Sequence, residues 1–294
     1  MARSFSRHKW YEPWLYLAPV LIGLCVFTAG PVLASLFLSF THWDVTSAPV
    51  FIGTANYSLL FASQLFWQVI GNTGYYVLLY VPCSIIVSLG LALLLNEKLR
   101  GIAFFRTVYF LPVVTSMVAA ALIFGWLYNS DVGLLNFLLG KLGITGPRWL
   151  EDPHWTMPSL VILSVWKNAG YNMMIFLAGL STVPLELHEA ARLDGASPAR
   201  RFFGITLPLI SPVLFFVLIV TTISAFQVFE QTYVLMHGGG PGNSTLTLSF
   251  YIWQTAFQFF NMGSASAMAY ILFLILGLLT LVQFWVRKRW VFTQ

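Results

Sequence analysis

Six long apolar runs decide what this chain can be. They cover roughly residues 14–40, 69–95, 108–128, 157–181, 205–236 and 266–286. A helix of about 20 residues crosses the ~30 Å hydrocarbon layer of a bilayer, and every run reaches that length. In hydrocarbon each unpaired backbone group costs several kcal/mol, so such runs are expected as helices, which satisfy their own amides. The expected fold class is all-α, a polytopic membrane protein with six transmembrane helices. Charge supports this: only 9% of residues are charged and 58% are hydrophobic, whereas soluble domains carry about a quarter charged residues. The first run follows Arg3, Arg7 and Lys9, as in a secretory leader. It far exceeds the ~7–15 apolar residues of a leader core, and is read as a retained first span.

The formal net charge of +5 does not point to nucleic acid, because the basic residues form no single patch. They are distributed between the apolar runs. Arg3, Arg7, Lys9, Lys98, Arg100, Arg106, Arg192, Arg200, Arg201, Arg287, Lys288 and Arg289 fall on one side of a six-span arrangement, against Lys141 and Arg148 on the other. Basic residues concentrate on the cytoplasmic side, so both termini and the connection near residue 190 are expected in the cytoplasm. The connection 129–156 is then external, and Trp149, Pro153 and Trp155 suit a segment lying along the interface.

Several functions lose support at once. The two cysteines, Cys25 and Cys83, sit inside apolar runs and imply neither a disulfide framework nor a thiolate metal site. His8, His42, His154, His188 and His237 lie apart, without the spacing of metal ligands. The glycine-rich run at 238–243 has no lysine, so it is read as an external turn, not a phosphate-cradling loop. No nucleophile and base are grouped, and no catalytic residue or metal is expected. No period of 20–50 residues and no inverted repeat stands out, which argues against solenoids and against many secondary transporters.

The longest polar island lies between the fourth and fifth runs. Pro184 opens a helix whose Glu186 and Glu189 sit near the positive end of its dipole. Gly195 provides the left-handed residue that ends it. Ser197 followed by Pro198 then reads as the cap and first turn of a second helix. Ala190 and Ala191 leave room for another backbone to approach.

The island carries a resemblance. Glu189, Ala190, Ala191, Gly195, Ile205, Leu207 and Pro208 fill the E-A-A…G…I-x-L-P pattern of the cytoplasmic loop of ABC-importer permeases. The stretch Phe176 to Leu180, and the later Tyr233 to Asn243, look like the sugar-permease branch related to the maltose and glycerol-3-phosphate permeases. The resemblance implies a type I importer permease fold. It divides the chain into an N-terminal tail, first helix and outer loop at 1–66, a permease core at 67–285 with the loop at 184–208, and a tail at 286–294. Glu189, Ala190, Ala191, Asp194, Gly195, Ile205, Leu207 and Pro208 would couple the core to an ATPase. The implied partners are a second permease, two ATPase subunits and an extracytoplasmic solute-binding protein, in a bacterial or archaeal plasma membrane. ATP would be bound by the ATPase, with no cofactor in this chain. The cargo is a carbohydrate, polyol or glycerol phosphate.

Ionisable groups inside a span are costly and mark functional positions by default. Lys167, Asn168, Tyr171 and Asn172 form one such stretch in the fourth run, and Gln227 and Glu230 another in the fifth. A spacing of three puts Gln227 and Glu230 on one face of a continuous helix. Asn168, Tyr171, Asn172, Gln227 and Glu230 are therefore the candidates for the substrate path. The alternatives are that Lys167 and Glu230 pair, that these groups glue helices together, or that they serve an ion path in a secondary transporter or channel.

Overall fold

The computed structural model describes residues 11–97, 100–236 and 238–291; for residues 12 and 13 it describes the backbone. Arg3, Arg7, Lys9 and Lys98, which weighed in the charge argument, lie outside them, as do His8 and His237. Among the described residues the regular structure is helical apart from a two-residue ladder, in which β1 (Thr41–His42) pairs antiparallel with β2 (Val50–Phe51).

Helices α1 (Glu12–Leu24) and α2 (Gly30–Ser39) join through a π turn at Cys25–Ala29 into one apolar rod, Trp14–Ser39, with none of its most apolar stretch buried. Next come α3 (Ala55–Ala62) and the long α4 (Gln64–Leu95), which Ser63 caps by accepting from the Phe66 amide. Helices α5 (Ile102–Val114) and α6 (Met117–Leu127) follow, then α7 (Leu134–Lys141) in the connection between the third and fourth apolar runs, and α8 (Pro153–Leu180), capped by Asp152. The polar island forms α9 (Leu185–Leu193) and α10 (Pro198–Arg201), continuing through a π turn into α11 (Leu207–Leu209). Beyond it lie α12 (Ser211–Phe226), α13 (Glu230–Met236), α14 (Leu248–Trp253) and the closing α15 (Met262–Trp290).

Four of these elements are long and apolar enough to cross a membrane, and six spans result when two bent pairs are each taken as one. In those pairs the helix bends within a single apolar run. The third run breaks between α5 and α6, with a bend of 97°. Pro112, which has no amide hydrogen to give the helix, precedes the extended Thr115 and Ser116. The fifth run bends by 70° where α11 meets α12 at Ile210. It stops again after Phe226, so residues 205–236 are not one span.

By internal packing the chain divides into two units, residues up to Ala62 with Trp253–Tyr270, and Ser63–Ile252 with the residues from Ile271 onward. In the first, the buried Asn56 amide donates to the Ser39 and Thr41 carbonyls, both at 2.9 Å, and its oxygen accepts from Ser264 Oγ at 3.1 Å. Gly263 lies against the Thr41 carbonyl so closely that a Cβ would overlap it.

The second unit is built round α8, flanked by α4, α5 and α12. Its close approaches occur at glycines. A Cβ on Gly170 would run into the Tyr109 carbonyl oxygen and the Phe110 Cα of α5, and one on Gly179 would lie 2.8 Å from Val213 Cγ2 of α12. One apolar cluster includes Tyr128, Leu160 and Leu163, and another includes Met173, Phe176 and Ile210. Polar pairs cross the same interfaces: Asn172 Nδ2 donates to Ser84 Oγ of α4 and Thr221 Oγ1 of α12, both at 3.2 Å.

Candidate functional site: a broken-helix cavity and an exposed helix pair

Breaking a helix inside a membrane frees carbonyls that must find donors. At the α5–α6 break the donor is Lys167, whose Nζ donates to the Val113 carbonyl at 3.0 Å with the side chain buried at 6% exposure. A cation at a helix C-terminus also offsets the partial negative charge there. At the α12–α13 break the donors are hydroxyls: Ser249 Oγ to the Phe226 carbonyl and Thr247 Oγ1 to the Val228 carbonyl, both at 3.0 Å. The segment carrying these hydroxyls is tied to α4, because Asn72 Nδ2 donates to the Asn243 and Leu246 carbonyls and Gln68 Nε2 to that of Gly242. The glycine-rich turn thus anchors what holds the broken helix.

Both breaks open onto one cavity of about 310 Å³. Tyr76 and Tyr80 of α4 stack at 5.3 Å along its floor, Met117 opens α6 into it, and Asn168 joins from α8. Ser224, Gln227 and Glu230 line it from the second break. Those three side chains are exposed and make no hydrogen bond or ion pair among the described residues. Asn168 Nδ2 donates to the Tyr80 hydroxyl at 3.2 Å, and the buried Gln231 donates to Ser164 Oγ at 3.2 Å. The cavity therefore has a fixed polar floor and an unengaged polar rim.

Gln227 and Glu230 do not share a helical face. Gln227 is the C-terminal cap just beyond α12, Glu230 the first residue of α13, and Val228 and Phe229 between them are not helical. The two meet because both line the same opening. Asn168 is brought to it as well. Tyr171 is exposed and Asn172 is buried between helices, and neither lines the cavity. Lys167 and Glu230 form no salt bridge among the described residues, although Lys167 lies within electrostatic reach of Glu230, so the direct pairing weighed from the sequence is not seen there. Ser224 was overlooked in the sequence, where it sits three residues before Gln227 in an otherwise apolar run, and so were the floor tyrosines.

The polar island forms the helix pair that its residues dictate. Glu186 stands in the first turn of α9 and Arg192 in the last, both suited to the dipole. Gly195 takes φ 76°, and the Ala196 amide donates back to the Ala191 carbonyl at 2.9 Å. Ser197 Oγ accepts from the Arg200 amide, with Pro198 in the first turn. No residue of α9 is buried, and Leu193 is 90% exposed. Glu189, Ala190, Asp194 and Gly195 are exposed and Ala191 is partly so, whereas Ile205, Leu207 and Pro208 are partly buried where the chain turns into α12.

Residues 61–291 match the model of the family described as binding-protein-dependent transport system inner membrane component. The probable ABC transporter permease protein YesP of Bacillus subtilis (strain 168) is 41% identical over 282 residues, covering 95% of this chain and 91% of that protein. The lactose transport system permease protein LacF of Rhizobium radiobacter is 37% identical over 291 residues, covering 97% of each. Among solved structures, a chain of a bacterial alginate ABC transporter in complex with an alginate pentasaccharide-bound periplasmic protein superposes with TM-score 0.82. Its 23% identity, over 95% of this chain and 94% of that one, speaks for the fold.

Proposed function

The chain belongs to the family of binding-protein-dependent transport system inner membrane components, and on that premise we propose that it forms half of a carbohydrate translocation pathway in an ABC importer. A second permease completes the pathway, two separate ATPase subunits drive it, and an extracytoplasmic protein delivers the solute. Both termini and the α9–α10 pair face the cytoplasm.

The observation that carries this reading is the exposed α9–α10 pair, continuous through α11 and Ile210 with the helix that ends at Gln227. A lone amphipathic helix without a buried face gains nothing from its own chain; Leu185 and Leu193, eight positions apart on one side of α9, are exposed apolar groups that a partner would cover. Burying one leucine side chain contributes about 1.5–3 kcal/mol. When nucleotide closes the ATPase pair, a docked α9 moves with it. The differential contacts of the two ATPase states then bias the pathway between inward and outward openings. Ser224, Gln227, Glu230 and Asn168 offer donors and acceptors to passing hydroxyls, each good hydrogen bond contributing about 1 kcal/mol net.

Co-expression with the partner permease and ATPase tests the coupling. Leu193→Asp, a surface change on α9, should leave membrane insertion intact and remove the ATPase from the purified complex, together with uptake. A Leu193→Asp complex that retains its ATPase and full uptake would overturn the reading.

A further inference from the structure

The relatives leave the charge of the cargo open, since lactose is neutral and alginate is an acidic polysaccharide. The cavity addresses it. Its rim holds one carboxylate, Glu230, beside the Gln227 amide and the Ser224 hydroxyl, and its floor is formed by Tyr76 and Tyr80. Among the described residues no lysine, arginine or histidine lines it. The nearest candidate cation in sequence, Lys167, is buried and donates to the Val113 carbonyl, where it ends a half-helix. Releasing it to an anionic guest would strip the cap from that helix. Glu230 makes no hydrogen bond or salt bridge among the described residues; the Lys167 ammonium, which is bonded to the Val113 carbonyl, acts on it only through space.

We infer that Glu230 is a charge filter and that the cavity takes neutral, hydroxyl-rich saccharides while rejecting uronates, sulfonates and phosphates. This rests on the reading of the cavity as part of the solute path. A carboxylate accepts hydroxyl protons and presents no donor to an anion. At the effective dielectric near a protein surface, a second negative charge several ångströms away is repelled enough to shift occupancy about tenfold.

The test is made on the permease–ATPase complex without its binding protein, so that this cavity alone sets the preference. Saturation-transfer NMR is recorded with lactose, trehalose and xylobiose, and with the anions lactobionate, galacturonate and glycerol 3-phosphate. The wild type should give signals with neutral probes and at least tenfold weaker ones with anions. Glu230→Gln should raise the anion-to-neutral ratio about tenfold, and Glu230→Asp should restore the wild-type ratio. Equal wild-type signals for both classes, no signal from any neutral probe, or a ratio unmoved by Glu230→Gln would each overturn the filter. The path reading is checked apart from it by Gln227→Ala, which should weaken every neutral signal. A moved ratio with Gln227→Ala silent keeps the filter and removes the cavity wall as a contact surface.

Discussion

The Lys167 ammonium on α8 caps the Val113 carbonyl at the end of α5, 3.0 Å away and 54 positions earlier in the chain. One side chain thereby accounts for a buried charge and a broken helix together. Removing it leaves a carbonyl unsatisfied in an apolar setting, which costs about 1–3 kcal/mol. Lys167→Met, which keeps the bulk of the stem, should lower the unfolding temperature of the detergent-purified chain by several degrees. Lys167→Arg should recover part of the loss. An unchanged transition in Lys167→Met would mean that the break is held by its loop alone.

The two glycine approaches on α8 should respond unequally to a single methyl. At Gly170 the obstacle is backbone of α5, which cannot rotate away, whereas at Gly179 it is the side chain of Val213. Forced overpacking typically costs about 1–3 kcal/mol. Gly170→Ala should fall at the upper end and Gly179→Ala at the lower, measured by thermal unfolding of each variant. Gly179→Ala proving the more damaging would contradict the packing of α5 on α8.

How far these features were legible depends on where their causes lie. The α9–α10 turn was readable because Gly195, Ser197 and Pro198 act on their own neighbours. Six spans were readable because apolar length is a property of contiguous residues. The break after Phe226 was not. Nothing in Phe226, Gln227, Val228 and Phe229 opposes a helix, and the helix ends where Ser249 and Thr247, about 20 positions on, satisfy its carbonyls. The same cause hid the cavity. Gln227 and Glu230 stand out as polar residues in an apolar run but are assigned to one helical face, while Ser224 is not singled out at all. Tyr171 and Asn172 looked equivalent to Asn168 by type; only the rotation of α8 separates an exposed ring, an interhelical amide and a cavity wall.

Orientation in the membrane follows from the distribution of basic residues and gives a direct labelling experiment. In a variant lacking Cys25 and Cys83, both of them exposed within this chain, a cysteine at position 243 should react with an impermeant maleimide added outside intact cells. One at position 196 should react only after the cells are opened. Equal labelling at both positions would reverse or abolish the assignment.

The 70° elbow at Ile210 has a mechanical consequence. Ile210 is almost wholly enclosed, at 1% exposure, so the joint between the outward arm and α12 is gripped by the core. From that fulcrum, α12 runs 16 residues to Gln227, a rod of about 24 Å at 1.5 Å per residue. Swinging such a rod by about 10° carries its far tip roughly 4 Å, more than the length of a hydrogen bond. A small push on the short arm is therefore geared up into making or breaking a hydrogen bond at the long one.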